Sequence, residues 1–279
     1  MTWKEFFRRA TRHRLFMVGG VMVILLALTS ILAGVLAPYD PYEQHHSERL
    51  SPPSTKFLLG SDWAGRDSLS RLIFGTRITL TIATSAVALA GSMGIALGLV
   101  SGYFGGPIDS LVSAATNMLF AFPSLVLALA IVALLGVSTR NLILALALIY
   151  IPIMARITRG AVLSVRELPY TEAAVSIGCS SRRILLRHVL PNVMAPIIVQ
   201  LTIGFSWCVL AEAGLTYLGF GAQPPDASWG MILNEGRDTV ILSPWSSVFG
   251  GLFIGFAVLG FNFLGDGLRD ILDPTLRSR

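Results

Sequence analysis

Residues 171–192, TEAAVSIGCSSRRILLRHVLPN, form a polar segment between two long apolar stretches, and their pattern decides the fold. Pro169, Gly178 and Pro191 punctuate the segment, because proline ends helices and glycine permits the backbone conformation of a tight turn. The pattern predicts a short helix over residues 171–177, a glycine turn and a second helix that closes before Pro191. The segment is therefore interpreted as a helix-turn-helix that connects two apolar regions.

The side chains of this polar segment suit contact with another protein. Ala173 and Ala174 follow Glu172 and keep one helix face small, which permits close packing against a foreign surface. An ordinary polar loop is the alternative, but such loops rarely contain this much helix-forming sequence. We therefore expect a docking element, and four cations give it a positive character: Arg166, Arg182, Arg183 and Arg187.

The composition places the chain in a lipid bilayer. Hydrophobic residues make up 53% of the 279 residues and charged residues 13%, whereas a soluble domain has about 25% charged residues. The chain is therefore interpreted as an integral membrane protein. The net charge of +5 indicates no nucleic acid partner, since the cations lie at the edges of apolar stretches and are not interleaved with aromatic residues.

Six apolar stretches are candidates to cross the roughly 30 Å of hydrocarbon that about 20 helical residues span. The fourth contains Arg156 and Arg159, which we expect to extend towards the headgroups at the end of that helix. Pro123 and Pro152 lie within the third and fourth stretches and predict kinks there. The six spans are expected at residues 15–37, 78–100, 111–135, 141–162, 193–220 and 247–264.

The distribution of basic residues predicts the orientation. If the amino terminus is cytoplasmic, 14 of the 21 Lys and Arg residues lie on the cytoplasmic side, so the positive-inside rule places both termini in the cytoplasm. A cleaved signal peptide is the alternative for the first span, but its apolar run exceeds the roughly 7–15 residues of a secretory core.

The polar residues 38–77 then lie outside the membrane, and they begin with prolines and turn-forming residues. In the second half of this stretch, Leu69, Leu72 and Ile73 share one side of a helix and the polar residues lie elsewhere. We therefore expect an amphipathic helix that lies on the membrane surface.

The polar segment resembles the EAA loop of ATP-binding-cassette (ABC) importer permeases, a cytoplasmic helix-turn-helix that transmits force from a separate ATPase subunit. His188 departs from the family pattern, in which isoleucine is usual, and Ser61 stands where threonine is usual in a second block. The further blocks are similar to C-type permeases of the dipeptide, oligopeptide and nickel group: LLGSDWAGRDSLSR at 58–71, GYFGG at 102–106, GAQPP at 221–225, WGM at 229–231, NFLGDGLRD at 262–270 and LDP at 272–274.

This resemblance implies an all-α membrane protein with six transmembrane helices of the type I ABC importer permease kind and with both termini in the cytoplasm. Residues 1–77 would hold the cytoplasmic tail, the first transmembrane helix and the extracytoplasmic segment. Residues 78–279 would form a five-helix core with a coupling loop at about 166–192. The residues expected to couple to the ATPase are Glu172, Ala173, Ala174, Gly178, Leu190 and Pro191.

The implied function is that of a permease subunit that moves di- or oligopeptides across the inner membrane by alternating access. The implied partners are a homologous second permease, two ABC ATPase subunits, an extracytoplasmic solute-binding protein, the peptide and membrane lipid. A nickel importer of the same family is the alternative, and the sequence leaves the substrate open.

The chain has no motif for using ATP itself. Its two lysines, Lys4 and Lys56, do not follow glycine, so no Gly-Lys-Ser/Thr phosphate loop can be drawn and ATP hydrolysis is expected on partner subunits. No catalytic constellation is evident, so we expect neither an enzyme nor a cofactor or metal bound by this chain. His45 and His46, flanked by acids, could be argued as a metal site, but a solvated loop is favoured because adjacent side chains usually point apart.

Glu212 is a carboxylate within the fifth span. Acids in spans face a cavity or a partner helix, so Glu212 is a candidate for the substrate pathway, and a hydrated residue near the headgroups is the alternative. An ion-coupled secondary transporter would need more such residues and internal repeats, and a channel would need a repeated selectivity element. Cys179 in the polar segment and Cys208 in the fifth span predict no disulfide.

Overall fold

The computed structural model describes residues 3–272 of the chain. Asp273 and Pro274 of the LDP block lie outside this range, as do Arg277 and Arg279, two of the 14 basic residues counted on the cytoplasmic side. The described part is almost entirely helical. Its α-helices are α1 (Trp3–Ala10), α2 (Arg14–Ile31), α3 (Ala33–Leu36), α4 (Ser68–Phe104), α5 (Gly106–Phe120), α6 (Ser124–Leu135), α7 (Thr139–Arg166), α8 (Pro169–Ser176), α9 (Ser181–Ile184), α10 (Leu190–Tyr217), α11 (Trp229–Arg237) and α12 (Trp245–Leu272).

Within residues 3–272, five helical stretches are long and apolar enough to cross a membrane. They are α2, α4, α7, α12 and Ser181–Tyr217, in which α9, a π-helix and α10 follow one another without a break. α5 and α6 form a further pair that bends by 88° around Pro123, so the predicted kink there is confirmed. α7 continues across Pro152 without interruption. Counted as one crossing, the bent pair brings the number of spans to six, as predicted.

The core contains a close crossing of α4 and α7. Glycines of α4 face α7, so that a Cβ added at Gly98 would lie 2.5 Å from the carbonyl oxygen of Ala155. One added at Gly102 would lie 2.8 Å from Cβ of Val162. Lipid provides no hydrophobic driving force between helices, so this close backbone approach contributes the packing that holds the pair together.

α4 begins at Ser68, well before the predicted span, so the predicted division between residues 77 and 78 falls inside one continuous helix. The expected amphipathic helix on the membrane surface is wrong. Both Leu72 and Arg71 are buried, because polar as well as apolar sides of this first part of α4 are covered by other segments. The polar residues that indicated a solvated face belong instead to a buried cluster of charges.

The second helix of the polar segment does not close before Pro191, contrary to expectation. The chain passes from α9 through a π-helix at Leu185–Val189 directly into α10, which has Pro191 in its first turn. Proline is tolerated there because its missing N–H is not needed, and the wider π-helix relaxes the crowding between the proline ring and the preceding turn. The polar segment and the fifth span therefore form one continuous helical stretch.

α7 extends to Arg166, beyond the predicted end of the span, so Arg156 and Arg159 lie within the helix, and their reach towards the headgroups stays a prediction. Arg159 forms a two-point ion pair with Asp109 of α5, with Nε to Oδ1 at 2.5 Å and Nη2 to Oδ2 at 2.6 Å. The guanidinium carbon of Arg156 lies 4.1 Å from the ring centroid of Phe120. Both cations therefore interact with α5, which ends at its corner with α6.

Candidate functional site

The first arm of the polar segment is α8, which contains the Glu-Ala-Ala block. Thr171 is buried, and its Oγ1 donates a hydrogen bond of 3.1 Å to the carbonyl of Val165, which fixes α8 to the end of α7. Ala174 is buried on the same inner face, whereas Glu172 and Ala173 are exposed. The two alanines therefore serve different surfaces, and only Ala173 is free to contact another protein.

The glycine turn predicted at Gly178 is confirmed, with φ of +75°. The N–H of Gly178 donates to the carbonyl of Val175 at 2.9 Å, and the N–H of Cys179 donates to the carbonyl of Ala174 at 3.1 Å. This pair of hydrogen bonds is the Schellman ending of a helix, which favours glycine at the left-handed position. A Cβ at Gly178 would meet no atom within 4 Å, so the backbone conformation alone selects glycine.

The outward face of the polar segment is more apolar than the sequence analysis indicated. Ile177 is 80% exposed, and Tyr170 and Val175 are also exposed. Sequence reasoning missed these residues, although the spacing of Tyr170, Ala173 and Ile177 places them on one helix face, beside the buried Ala174. An exposed apolar patch with charged residues around it is typical of a protein contact. The nearby cations surround a shallow cavity and are all exposed: Arg182, Arg183 and Arg187.

The second arm holds the polar segment against the membrane-spanning part of the chain. Ile184 and Val189 are buried in one apolar cluster with Val162 of α7 and Ala174 of α8. Leu190 and Pro191 lie directly after this arm, in the first turn of α10. Because the arm is packed on α7 and continuous with α10, a displacement of the polar segment would be transmitted to both helices.

A second polar site, the ion cluster, lies at the other end of α4 and consists of Asp62, Arg66, Arg71 and Glu235. Arg66 donates to Asp62 at 2.6 Å and to Glu235 at 2.8 Å. Arg71 donates to Glu235 at 2.5 Å and also pairs with Asp62. These four side chains are at most 12% exposed, and their charges balance. Buried ions need such pairing, because each would otherwise lose its hydration without compensation.

The ion cluster joins two sequence blocks that are far apart in the chain. The first block leads into α4, where Oδ2 of Asp67 accepts from the N–H of Ser70 at 2.8 Å and caps the helix. The second block is α11, where Nε1 of Trp229 donates to the carbonyl of Leu72 at 3.1 Å. Sequence reasoning recognised both blocks but not their pairing, since 164 residues separate Arg71 from its carboxylate partner on α11.

Glu212 is fully buried between α10, α4 and α11. Its carboxylate accepts from Oγ1 of Thr216 at 2.9 Å and from Oγ1 of Thr79 at 3.3 Å. Oγ1 of Thr79 also accepts from the N–H of Trp229 at 3.3 Å. The interpretation of Glu212 as a hydrated residue is therefore wrong, because its side chain faces partner helices. Its role in the pathway stays a prediction.

The two adjacent histidines point to different partners. The ring of His45 packs between Tyr39 and Phe57, with centroid distances of 5.7 and 5.4 Å, whereas Nδ1 of His46 lies 3.1 Å from Nη2 of Arg49. In residues 3–272 no group of three or more His, Cys, Asp or Glu residues is arranged to hold a metal ion. The nearby acid Glu48 is bonded to Lys56, which lowers the pKa of its carboxyl group. Cys179 and Cys208 are both free thiols.

Two families match the chain. Residues 94–278 match the binding-protein-dependent transport system inner membrane component family, and residues 2–53 match the N-terminal TM domain of oligopeptide transport permease C. The dipeptide transport system permease protein DppC of Alkalihalophilus pseudofirmus is 41% identical over 276 residues, which cover 99% of this chain and 91% of that protein. The glutathione transport system permease protein GsiD of Pectobacterium atrosepticum is 40% identical over 277 residues, which cover 99% and 92% respectively.

A solved structure shares the fold. A chain of the inward-facing MetNI methionine ABC transporter superimposes with a TM-score of 0.59 at 18% identity, covering 74% of this chain and 97% of that chain. This likeness concerns the arrangement of the helices, which agrees with the type I permease fold that the motifs predicted. The family match over residues 94–278 and the 41% identity to a dipeptide permease show that the chain belongs to the binding-protein-dependent inner membrane components and is a permease subunit of the peptide group of ABC importers.

Proposed function

We propose that this inner membrane permease subunit translocates di- or oligopeptides by alternating access, energised by separate ATPase subunits. The observation that carries the proposal is the exposed apolar and cationic face of the coupling loop, residues 166–192, on a support packed against α7 and continuous with α10. Relatives named for dipeptide and glutathione transport support a peptide substrate over nickel.

The residues of the coupling loop would have three roles. Glu172 and Ala173, which are exposed, would contact the ATPase together with Ile177. Gly178 would set the angle between the two arms of the loop. The remaining predicted residues would hold the loop on this chain and pass its movement into the span: Ala174, Leu190 and Pro191.

ABC importer permeases work with ATPases and a binding protein. For this chain we propose two ATPase subunits on the cytoplasmic side, an extracytoplasmic solute-binding protein and a homologous second permease, with the pathway between the two permeases. The exposed apolar side chains of α2 and α3, such as Ile24, Ile31 and Val35, suit contact with that permease and with lipid. ATP would bind and be hydrolysed on the ATPases, so this chain would hold no cofactor and perform no catalysis.

The proposed mechanism couples the ATPases to the spans through rigid elements. ATP binding would draw the two ATPases together and, with them, the coupling loops of the two permeases. Because the loop is packed on α7 and runs into α10, those helices would move with it and open the pathway outwards. Peptide released by the binding protein would enter, and ATP hydrolysis would return the inward-facing state.

A reconstituted complex tests this proposal. We expect ATP-dependent uptake of a radiolabelled dipeptide into proteoliposomes that contain both permeases and both ATPases, with the binding protein outside. Glu172→Lys should lower this uptake, whereas Glu43→Lys, an exposed charge reversal away from the loop, should not. Uptake of nickel but not peptide would change the substrate. Accumulation by the isolated chain under a proton gradient would overturn the class.

A further inference from the structure

α5, α7 and the end of α4 border a polar cavity with a volume of about 250 Å³. A space of this size holds several waters or a small ionic group, since a water occupies about 30 Å³ in the liquid. The polar residues that line it are Ser101, Ser113, Thr116, Asn117, Arg156 and Arg159.

The two cations at the cavity differ in their partners. Arg159 is committed to Asp109, which occupies both its Nε and its Nη2. Arg156 donates one hydrogen bond of 3.0 Å from Nη2 to Oδ1 of Asn117, lies over the ring of Phe120, and has no carboxylate partner in residues 3–272. A guanidinium has five N–H donors in a planar fork, so most donors of Arg156 remain open.

Arg156 lies on α7 and begins an exposed row of that helix. It precedes Arg166 at the helix end by about 15 Å, at 1.5 Å per residue. A cation on a membrane-spanning helix is costly unless it faces water, an anion or another polar group. The exposed row continues from Arg156 through Gly160 and Ser164 to the coupling loop, whereas Pro152, about one turn before Arg156, is buried.

We propose that Arg156, supported by Asn117 and Phe120, binds the C-terminal carboxylate of the peptide during its passage. This inference rests on the proposed function and names the substrate group that the pathway recognises. A carboxylate presents two oxygens that match the guanidinium fork, and the cavity beside Arg156 has room for it. Gly160 has no side chain and that of Ser164 is small, so the two positions leave space for the rest of the peptide to continue towards the coupling loop.

Uptake by the complete complex gives the first test. Arg156→Gln should lower uptake of a subsaturating dipeptide about tenfold, the scale of losing a hydrogen bond to a charged group. Arg156→Lys should recover part of this loss, because it keeps the charge but not the fork. Uptake of the same dipeptide with a C-terminal amide should be the same in all variants. Arg140→Gln, an exposed arginine at the start of α7, is the matched control and should leave both substrates unaffected.

A labelling measurement does not depend on transport. The variant combines Cys179→Ser and Cys208→Ala with Ser113→Cys, so that the cysteine at position 113 is the only thiol of this chain. In the complete complex, an anionic methanethiosulfonate reagent should react with this thiol faster than a cationic reagent. Arg156→Gln should remove this preference. The dipeptide should protect the thiol and its amide should not, because only the carboxylate would occupy the guanidinium.

Other outcomes would overturn the inference. Labelling and uptake that follow the phosphatidylglycerol content of the vesicles, with no protection by the dipeptide, would assign Arg156 to a lipid phosphate. Weaker assembly of the two permeases in Arg156→Gln, with equal loss of uptake for dipeptide and amide, would assign it to an acid of the second permease. Normal uptake and unchanged labelling in Arg156→Gln would exclude any anion site there. If the unaltered complex takes up no peptide, the proposed function fails, and labelling alone then decides whether Arg156 binds a carboxylate.

Discussion

The ion cluster lies at one end of α4 and the coupling loop at the other, and the two differ in which side chains they bury. The ion cluster buries charged side chains, whereas the coupling loop exposes apolar ones. In the ion cluster, Arg71 is 2% exposed and its charge is met by carboxylates of the same chain. In the coupling loop, both Ile177 and Glu172 are exposed. The first end is closed by its own contacts, whereas the second presents groups that another protein would cover.

The difference shows which surfaces belong to the fold and which to the assembly. A buried, balanced cluster holds together segments that the sequence separates, namely the stretch before α4 and the start of α11. An exposed apolar face stabilises nothing within the chain, so its energetic contribution would come only from binding. Substitutions at the two ends should therefore separate stability from coupling.

Breaking the ion cluster should have the largest effect. Arg71→Met leaves Asp62 and Glu235 with only Arg66 between them, and an uncompensated buried charge costs about 3–5 kcal/mol. The free energy of unfolding of the purified chain in detergent should fall by this amount, which a denaturant titration measures. The double variant Arg71→Met with Glu235→Gln should recover much of the loss, because it restores the balance of charge.

Arg237→Gln provides the control for the ion cluster. Arg237 is exposed and its ion pair with Asp238 is exposed as well, so the change should stay within about 0.5 kcal/mol. An equal loss of stability in Arg237→Gln and Arg71→Met would show that burial of the cluster does not determine its contribution.

Replacing the turn glycine should act on coupling more than on the fold. Gly178→Val forces a β-branched residue into the left-handed region at a cost of about 1–2 kcal/mol, and the open surroundings add no clash. We expect normal insertion and expression but reduced ATP-dependent uptake, measured in proteoliposomes at matched protein levels. Gly178→Asn should keep most of the uptake, since asparagine tolerates this conformation. Equal uptake in both variants and the unaltered chain would contradict a role for the turn.

A substitution on the exposed face of the coupling loop should affect only the association with the ATPase. Ile177→Asp is expected to lower that affinity about tenfold, the effect of losing one well-covered apolar contact, without changing the stability of the isolated chain. Binding of the purified ATPase to the permease pair in nanodiscs measures it. Ile241→Asp is the matched control, because Ile241 is equally apolar and exposed but lies between α11 and α12. Unchanged affinity in Ile177→Asp would exclude this face as the contact.

The local features of the fold were predictable from the sequence. The lengths of the apolar stretches predicted the spans. Pro123 predicted the corner between α5 and α6, and Gly178 predicted the turn after α8. Such features depend on a few neighbouring residues. The exposed face of α8 was predictable in principle, since the spacing of Tyr170, Ala173 and Ile177 indicates one helix side.

The tertiary pairings were not predictable in this way. Charged residues before α4 suggested a solvated surface because their partner Glu235 lies far along the chain. The environment of Glu212 depended on Thr79, which belongs to another helix. Arg156 and Arg159 lie three residues apart on α7, and the sequence alone does not show that Asp109 pairs with Arg159 and not with Arg156. Long-range contacts that compensate charge leave no periodic signal in a single sequence.

Cysteine labelling perturbs the protein least, and it tests which end of α4 faces which side of the membrane. The charge distribution predicts that the ion-cluster end is extracytoplasmic and the coupling loop cytoplasmic. Ser54 is exposed near the first end, and Cys179 is half-buried in the loop. A cysteine at Ser54 should therefore react with an impermeant maleimide added to intact cells, whereas Cys179 should react only after permeabilisation. Cys208 is buried in its span and should remain unlabelled in both conditions, which controls for unfolded protein. Labelling of Cys179 from outside would reverse the orientation and remove the loop from the ATPase side, even if the energetic contrast between the two ends were confirmed.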